Sequence, residues 1–109
     1  TLLQEHLAAV HGEADVLITP VIATPVPTIA DIETADADEL ERIFTRSAAF
    51  VRFASYLGIP GMSVPCGFTS NGLPTAFQLL GPPFSEGRLF QVGNAYQQAT
   101  SWHTMAPPL

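Results

Sequence analysis

The feature that most constrains the fold is a pair of short apolar runs bounded by glycine and proline. The first run, Met62–Phe68, follows Gly58–Gly61, and the second, Thr75–Leu80, lies beyond a turn at Ser70–Gly72. Apolar runs of this length with such ends predict two buried strands joined by a tight turn. Pro65 cannot donate a ladder hydrogen bond, so the first run is expected at a sheet edge or to end its pairing early.

The segments on either side of these runs predict helices in alternation with strands. Leu2–Val10 carries apolar residues at helical spacing and is followed by Gly12, whereas Val16–Ile18 has the pattern of a short buried strand. Pro20, just before this segment, and Pro25 and Pro27 within it predict extended, irregular backbone over Val21–Ile32. A last helix is expected to begin at Ser85, which can cap it.

A long helical pattern precedes the first apolar run. Asp36 or Asp38 can cap its start, since acidic residues favour the positive end of a helix dipole. Apolar positions from Leu40 to Leu57 mark one face, and Gly58 is placed to end the helix. Whether the helix is interrupted near Ala48–Phe50 is left open by the pattern.

The order of elements predicts an α/β fold, and the composition predicts that it is incomplete. Three strands are too few for an independent sheet of this class, so they are expected to join a larger mixed sheet flanked by helices. The chain is 47% hydrophobic and 13% charged, whereas soluble domains are about 25% charged. A small domain has much surface to cover. We therefore expect residues 1–109, which begin with Thr1 and no initiator Met, to be a segment of a larger domain.

Charge and cysteine content exclude several function classes. The net charge is −6, and the four basic residues are all arginine, with no lysine. Without a basic cluster, direct contact with nucleic acid is not expected. No apolar run approaches the roughly 20 residues that span a bilayer, so no membrane segment is expected. The lone Cys66 excludes an internal disulfide and is in keeping with a cytoplasmic protein.

Motifs along nearly the whole chain resemble the C-terminal portion of the amidase signature family. Asp15–Pro20 is similar to a family strand and its "TP" loop, and Phe50–Gly67 to the segment that ends "G-x-P-x-x-S-V-P-x-G". Gly72–Gly81 is similar to the "G-L-P-x-G-x-Q-L-x-G" strand, with Glu86 and Trp102 in matching places further on. The order and spacing of these pieces carry the resemblance, which implies the C-terminal part of the amidase-signature fold.

The resemblance implies hydrolysis of carboxamides by a serine nucleophile, a second serine in a cis peptide and a lysine base. A neutral hydroxyl needs such a base beside it to become a good nucleophile. The family's catalytic residues lie upstream of the similar segment, so no catalytic residue is expected in this chain, which alone is predicted to be inactive. No metal or organic cofactor is implied.

Three residues depart from the family pattern. Ser55 stands where Asn is usual, and Ala76 where Gly is usual. Ala48 aligns with an Asp that holds the substrate's amino group in A subunits of tRNA-dependent amidotransferases. The loss of that carboxylate favours a stand-alone amidase that acts on a small-molecule amide.

Two alternatives stay open at this stage. One is the A subunit of a glutamine-dependent tRNA amidotransferase, and the other, from a different class, is a non-catalytic interaction module. The expected partner is the remainder of an amidase chain or a partner subunit, and the sequence leaves a homo-oligomer open.

Several polar residues could form a site of their own, and each has a plainer structural explanation. Ser63 and Cys66 are candidate nucleophiles, yet nothing in the sequence fixes a base and an orienting acid beside either. The bases considered are His6, His11 and His103. For His11, Glu13 and Asp15, a turn is favoured over a metal cluster, because the ligand count and spacing match no defined metal site.

Arg52 and Ser55 are the candidate substrate-binding residues. In members of the resembled family this stretch borders the substrate pocket, where a guanidinium could bind a carboxylate or carbonyl with two hydrogen bonds. Ser55 would be a polar neighbour in the same wall. The structural alternative, weighed more heavily, is an ion pair of Arg52 with a local acid such as Glu41 or with an acid on the remainder of the domain.

Overall fold

The structure, a computed structural model, describes residues 1–108 and has the predicted α/β class. None of the helices in that range is long and apolar enough to cross a membrane. The elements in chain order are helix α1 (Leu2–His11), strand β1 (Leu17–Pro20), helices α2 (Ile29–Thr34), α3 (Ala37–Ser47) and α4 (Arg52–Leu57), strands β2 (Gly61–Phe68) and β3 (Pro74–Leu80), helix α5 (Glu86–Ala99) and a 3-10 turn (Trp102–Thr104).

The three strands form one antiparallel sheet in the order β1-β3-β2. Strand β3 is central and pairs with both neighbours, so Gln78 lies opposite Thr19 of β1 and Ser63 of β2. The ladder between β2 and β3 is irregular between Pro65 and Gly67. Within residues 1–108, β2 is an outer strand with a disturbed ladder next to Pro65, as the sequence predicts, and a larger mixed sheet stays a prediction.

The prediction of two buried strands is wrong for β2. In β3 the three residues Gln78, Leu79 and Leu80 are buried, whereas Val64 is the one buried residue of β2. The reason is the sheet order, because β2 lies at an edge and half of its side chains point away from the one helix that covers it.

Helix α5 covers one face of the sheet and packs against the main apolar cluster there. Val64, Leu79 and Leu89 are buried together there, with Phe77 and Tyr96 in edge-to-face contact at a centroid distance of 4.9 Å. These residues follow one face of β2 and β3 because side chains alternate along a strand. This apolar cluster between α5 and the sheet is small.

Local chemistry sets the ends of α3 and α4 as predicted. The Asp36 carboxylate accepts a hydrogen bond from the Glu39 N–H at 2.9 Å and caps α3. The helical pattern is interrupted at residues 48–51, the position that the sequence left open. Gly58 ends α4 with φ +65°, a left-handed conformation that glycine adopts without a Cβ clash.

The prediction of irregular backbone over Val21–Ile32 is wrong at its end, where α2 begins. Thr28 and Asp31 bond each other reciprocally: the Thr28 hydroxyl accepts from the Asp31 N–H at 3.1 Å, and the Asp31 carboxylate accepts from the Thr28 N–H at 2.8 Å. This capping box satisfies two backbone donors and starts a helix just beyond the last proline.

Two smaller boundaries also differ from expectation. The first strand is Leu17–Pro20 in place of Val16–Ile18. Ser85 does precede α5, yet its hydroxyl donates to the Pro82 carbonyl at 2.6 Å and leaves the helix without a side-chain cap. The predicted N-terminal helix, by contrast, is confirmed as α1, capped by Thr1 and Gln4.

Replacing His11 with leucine is expected to stabilise the protein. Both ring nitrogens of His11 are buried without a hydrogen-bond partner among residues 1–108, and an unsatisfied buried polar group costs about 1–3 kcal/mol. The measurement is urea unfolding of the complete natural polypeptide. His6→Leu is the matched control, since His6 is exposed and its Nδ1 bonds the Leu2 carbonyl. A His11→Leu protein no more stable than the control would contradict this account.

The capping box also predicts a pH response of α2. Hydrogen bonds from the Thr28 hydroxyl and backbone N–H lower the pKa of Asp31 below its ordinary 3.8. The cap therefore stabilises α2 above that ordinary value and is lost as the pH falls through the lowered pKa. In an NMR titration of the Asp31 carboxyl, Thr28→Ala should raise the midpoint and the control Thr34→Ala should leave it unchanged. Equal midpoints in all three proteins would be evidence against the box.

Candidate functional site

A row of three polar side chains crosses the sheet on the face opposite α5. Thr19, Gln78 and Ser63 are paired directly across the three strands, and directly paired residues of an antiparallel sheet point to the same side. The neighbouring residues Leu79 and Val64 face the other way, into the core. We call these three residues the polar row.

Gln78 is the centre of the polar row and joins it to the helices. Its side chain is only 5% exposed, the one buried polar residue of the described core. The Nε2 amide donates to the Thr19 hydroxyl at 2.7 Å and to the Phe50 carbonyl. The turn between α3 and α4 is thereby held against the face of the sheet that α5 leaves uncovered.

Arg52 and Ser55 both lie on α4, immediately after this turn. They are three residues apart, which places them on the same side of a helix, and both are exposed. Arg52 and Glu41 form no ion pair within residues 1–108. The ion pairs found there join Arg42 to Glu39 and Arg88 to Asp15. The guanidinium of Arg52 is therefore left open to solvent beside Ser55.

The candidate nucleophiles are not assembled with a base in the described residues. Ser63 is exposed in the polar row, and Cys66 lies with its Sγ 3.6 Å from the Thr75 hydroxyl. Neither is hydrogen-bonded to a histidine within residues 1–108. The ring of His6 bonds the Leu2 carbonyl, and that of His11 is buried without partners in the same range.

The residues considered for a metal cluster do not form one within residues 1–108, and two of them have other surroundings. No group of three His, Cys, Asp or Glu side chains within residues 1–108 could hold an ion. Asp15 instead pairs with Arg88, which ties the loop after α1 to α5. His11 borders an apolar cleft of about 500 Å³ that lies between α1, the end of α4 at Leu57 and the segment that follows β3 at Pro82.

Reasoning from the sequence missed Gln78 as a site residue. The signal available was a lone amide in an otherwise apolar strand, which must find hydrogen-bond partners once it is buried. Its two partners are 59 and 28 residues away in sequence. No local pattern identifies either of them, so the fold was needed to reveal this contact.

Comparisons with known proteins agree on one family. A family model described as "Amidase" matches residues 1–90. The A subunit of glutamyl-tRNA(Gln) amidotransferase from Ralstonia nicotianae is 41% identical over 96 residues, which are 88% of this chain and 18% of that protein.

Two solved structures share the fold. A 6-aminohexanoate cyclic dimer hydrolase has a TM-score of 0.72 and 26% identity over 85% of this chain and 21% of its own. The A subunit of glutamyl-tRNA(Gln) amidotransferase from Thermotoga maritima has a TM-score of 0.65 and 29% identity over 89% of this chain and 20% of its own. The chain spans about a fifth of the length of these relatives. With most of its residues matched by the family model, this chain belongs to the amidase family.

Proposed function

We propose that this chain is a segment of an enzyme that hydrolyses the carbon–nitrogen bond of a carboxamide. The observation that carries the proposal is the amidase match over residues 1–90. It is supported by the fold shared with a 6-aminohexanoate cyclic dimer hydrolase. The segment supplies part of the sheet and part of the pocket wall, and the reaction needs no metal or organic cofactor.

We propose further that residues 1–109 are one part of a larger amidase domain. Both outer strands of the sheet lack a second neighbour within residues 1–108, and many large apolar side chains are exposed, among them Phe84 at 97%. Large apolar side chains left exposed in such number are expected where a segment packs against other protein. The remainder of the polypeptide, or a partner subunit, covers it and carries the serine, cis-serine and lysine.

In this proposal Arg52 and Ser55 line the pocket. The support is the exposure of both side chains on α4 and the hydrogen bond from Gln78 to the carbonyl of Phe50, two residues before Arg52. A planar guanidinium can bind a substrate carboxylate through two parallel hydrogen bonds. Ser55 offers a hydroxyl on the same side of the helix. The substrate class is then a small amide that carries an anionic or carbonyl group beyond the bond to be cleaved.

A second candidate function is that of an amidotransferase A subunit. It is favoured by the 41% identity with such a protein from Ralstonia nicotianae. Ala48, where the resembled A subunits have an Asp, favours the stand-alone amidase. Incubation of the complete polypeptide and its partner subunits with glutamine and glutamyl-tRNA(Gln) separates the two, because only the second candidate yields amidated tRNA. The cytoplasmic location, suggested by the single cysteine, stays a prediction, as does a homo-oligomer.

The isolated 109-residue chain is expected to hydrolyse no simple amide. It has no lysine to act as the base, and an unactivated serine hydroxyl is a weak nucleophile. The measurement is ammonia release from glutaramate and from pentanamide, with the complete polypeptide as the positive control. Turnover by the isolated chain that a serine-directed fluorophosphonate abolishes would contradict the assignment of the catalytic residues to the remainder.

Arg52→Ala in the complete polypeptide is expected to lower kcat/KM for glutaramate by roughly tenfold to a hundredfold, because hydrogen bonds to charged groups contribute about 1.5–3 kcal/mol. Pentanamide has a methyl group in place of the carboxylate and should be affected much less. Arg46→Ala is the control, since Arg46 is exposed in the last turn of α3. Equal effects on both amides, or none, would remove Arg52 from the pocket.

A further inference from the structure

We infer that Gln78 is a positioning residue, which holds the turn before α4 and thereby sets where Arg52 and Ser55 stand in the pocket wall. The inference rests on the proposed function for the role of those two residues. The hydrogen bonds of Gln78 are a feature of the fold and stand independently of it.

The amide of Gln78 uses both of its N–H groups, and each goes to a different part of the chain. One is given to the Thr19 hydroxyl of β1 at 2.7 Å, and the other to the Phe50 carbonyl in the turn at residues 48–51. A side-chain amide has two N–H donors. Gln78 therefore fixes the turn to the sheet with its full donor capacity.

The start of α4 has few other attachments. Val51 occupies the cap position without a side-chain hydrogen bond. The Arg52 N–H is bonded to the Ala48 carbonyl at 3.1 Å, a contact within the same turn that moves with it. Ala54 is the one buried residue of α4. The link from Phe50 to Gln78 is thus the polar contact that relates this turn to the central strand.

Glutamine can donate both hydrogen bonds that are made at position 78, whereas glutamate and methionine, which have a similar length, cannot. Glutamate at position 78 would present two acceptors to the Phe50 carbonyl, which is itself an acceptor. Methionine has a similar length and no N–H group. Strand β3 is paired on both sides, so Gln78 projects from the strand with the most ladder hydrogen bonds. Such a fixed origin suits a residue that positions the turn before α4.

The test is a double-mutant cycle on kcat/KM in the complete polypeptide, with Gln78→Met, Arg52→Ala and the two combined. For glutaramate, Gln78→Met alone is expected to cost about tenfold or more, since a misplaced binding group can cost about a hundredfold. For pentanamide the loss should be smaller. If Gln78 acts through Arg52, the losses of the two single variants are clearly less than additive in the combined variant. Additive losses, or equal losses on both amides, would overturn the inference.

A second measurement does not depend on turnover. Amide hydrogen exchange in Gln78→Met is expected to be faster over Arg52–Leu57 and unchanged over Gly61–Phe68, because the turn loses its attachment while the sheet keeps its ladder. Gln91→Met, an exposed change on α5, is the control. Unchanged exchange at α4 would overturn the inference. An inert Arg52→Ala together with faster exchange in Gln78→Met would instead overturn the role of Arg52 in the pocket.

Discussion

The central strand β3 is the constraint on which the rest of the structure depends. Its alternation places Leu79 on the face covered by α5 and Gln78 on the opposite face, where the amide bonds Thr19 and the Phe50 carbonyl. One side of the strand therefore faces the apolar cluster under α5, and the other carries the polar contact that joins sheet and helices, next to the buried Leu80. Both layers of an α/β arrangement are attached through neighbouring residues of one strand.

The residues packed around β3 are too few to bury the chain's apolar side chains. Few apolar side chains are buried within residues 1–108, although folding requires enough apolar burial to offset the lost conformational entropy. Phe44 of α3 and Ile29 of α2 are mostly exposed, although apolar side chains on a helix are the ones that usually face a core. The same faces would become interior if the remainder of an amidase domain lay against them.

The features predicted correctly from the sequence are those that local chemistry decides. Asp36 caps α3 and Gly58 ends α4 because a few neighbouring residues determine each end. Helix α2 was missed because the prolines before it masked a capping box of Thr28 and Asp31. Gln78 was missed because its partners are distant in sequence. The pair suggested between Arg52 and Glu41 is absent from residues 1–108 because only the fold decides which charges meet, and a pair of Arg52 with an acid outside these residues stays a prediction.

The central claim is that β3 organises a segment whose apolar faces need a cover. The most direct test is to compare the isolated 109-residue chain with the complete polypeptide by binding of a hydrophobic fluorescent dye and by urea unfolding. The account predicts strong dye binding and a broad, weakly cooperative transition for the isolated chain alone. A monomeric isolated chain that binds no dye and unfolds in one sharp transition would contradict it.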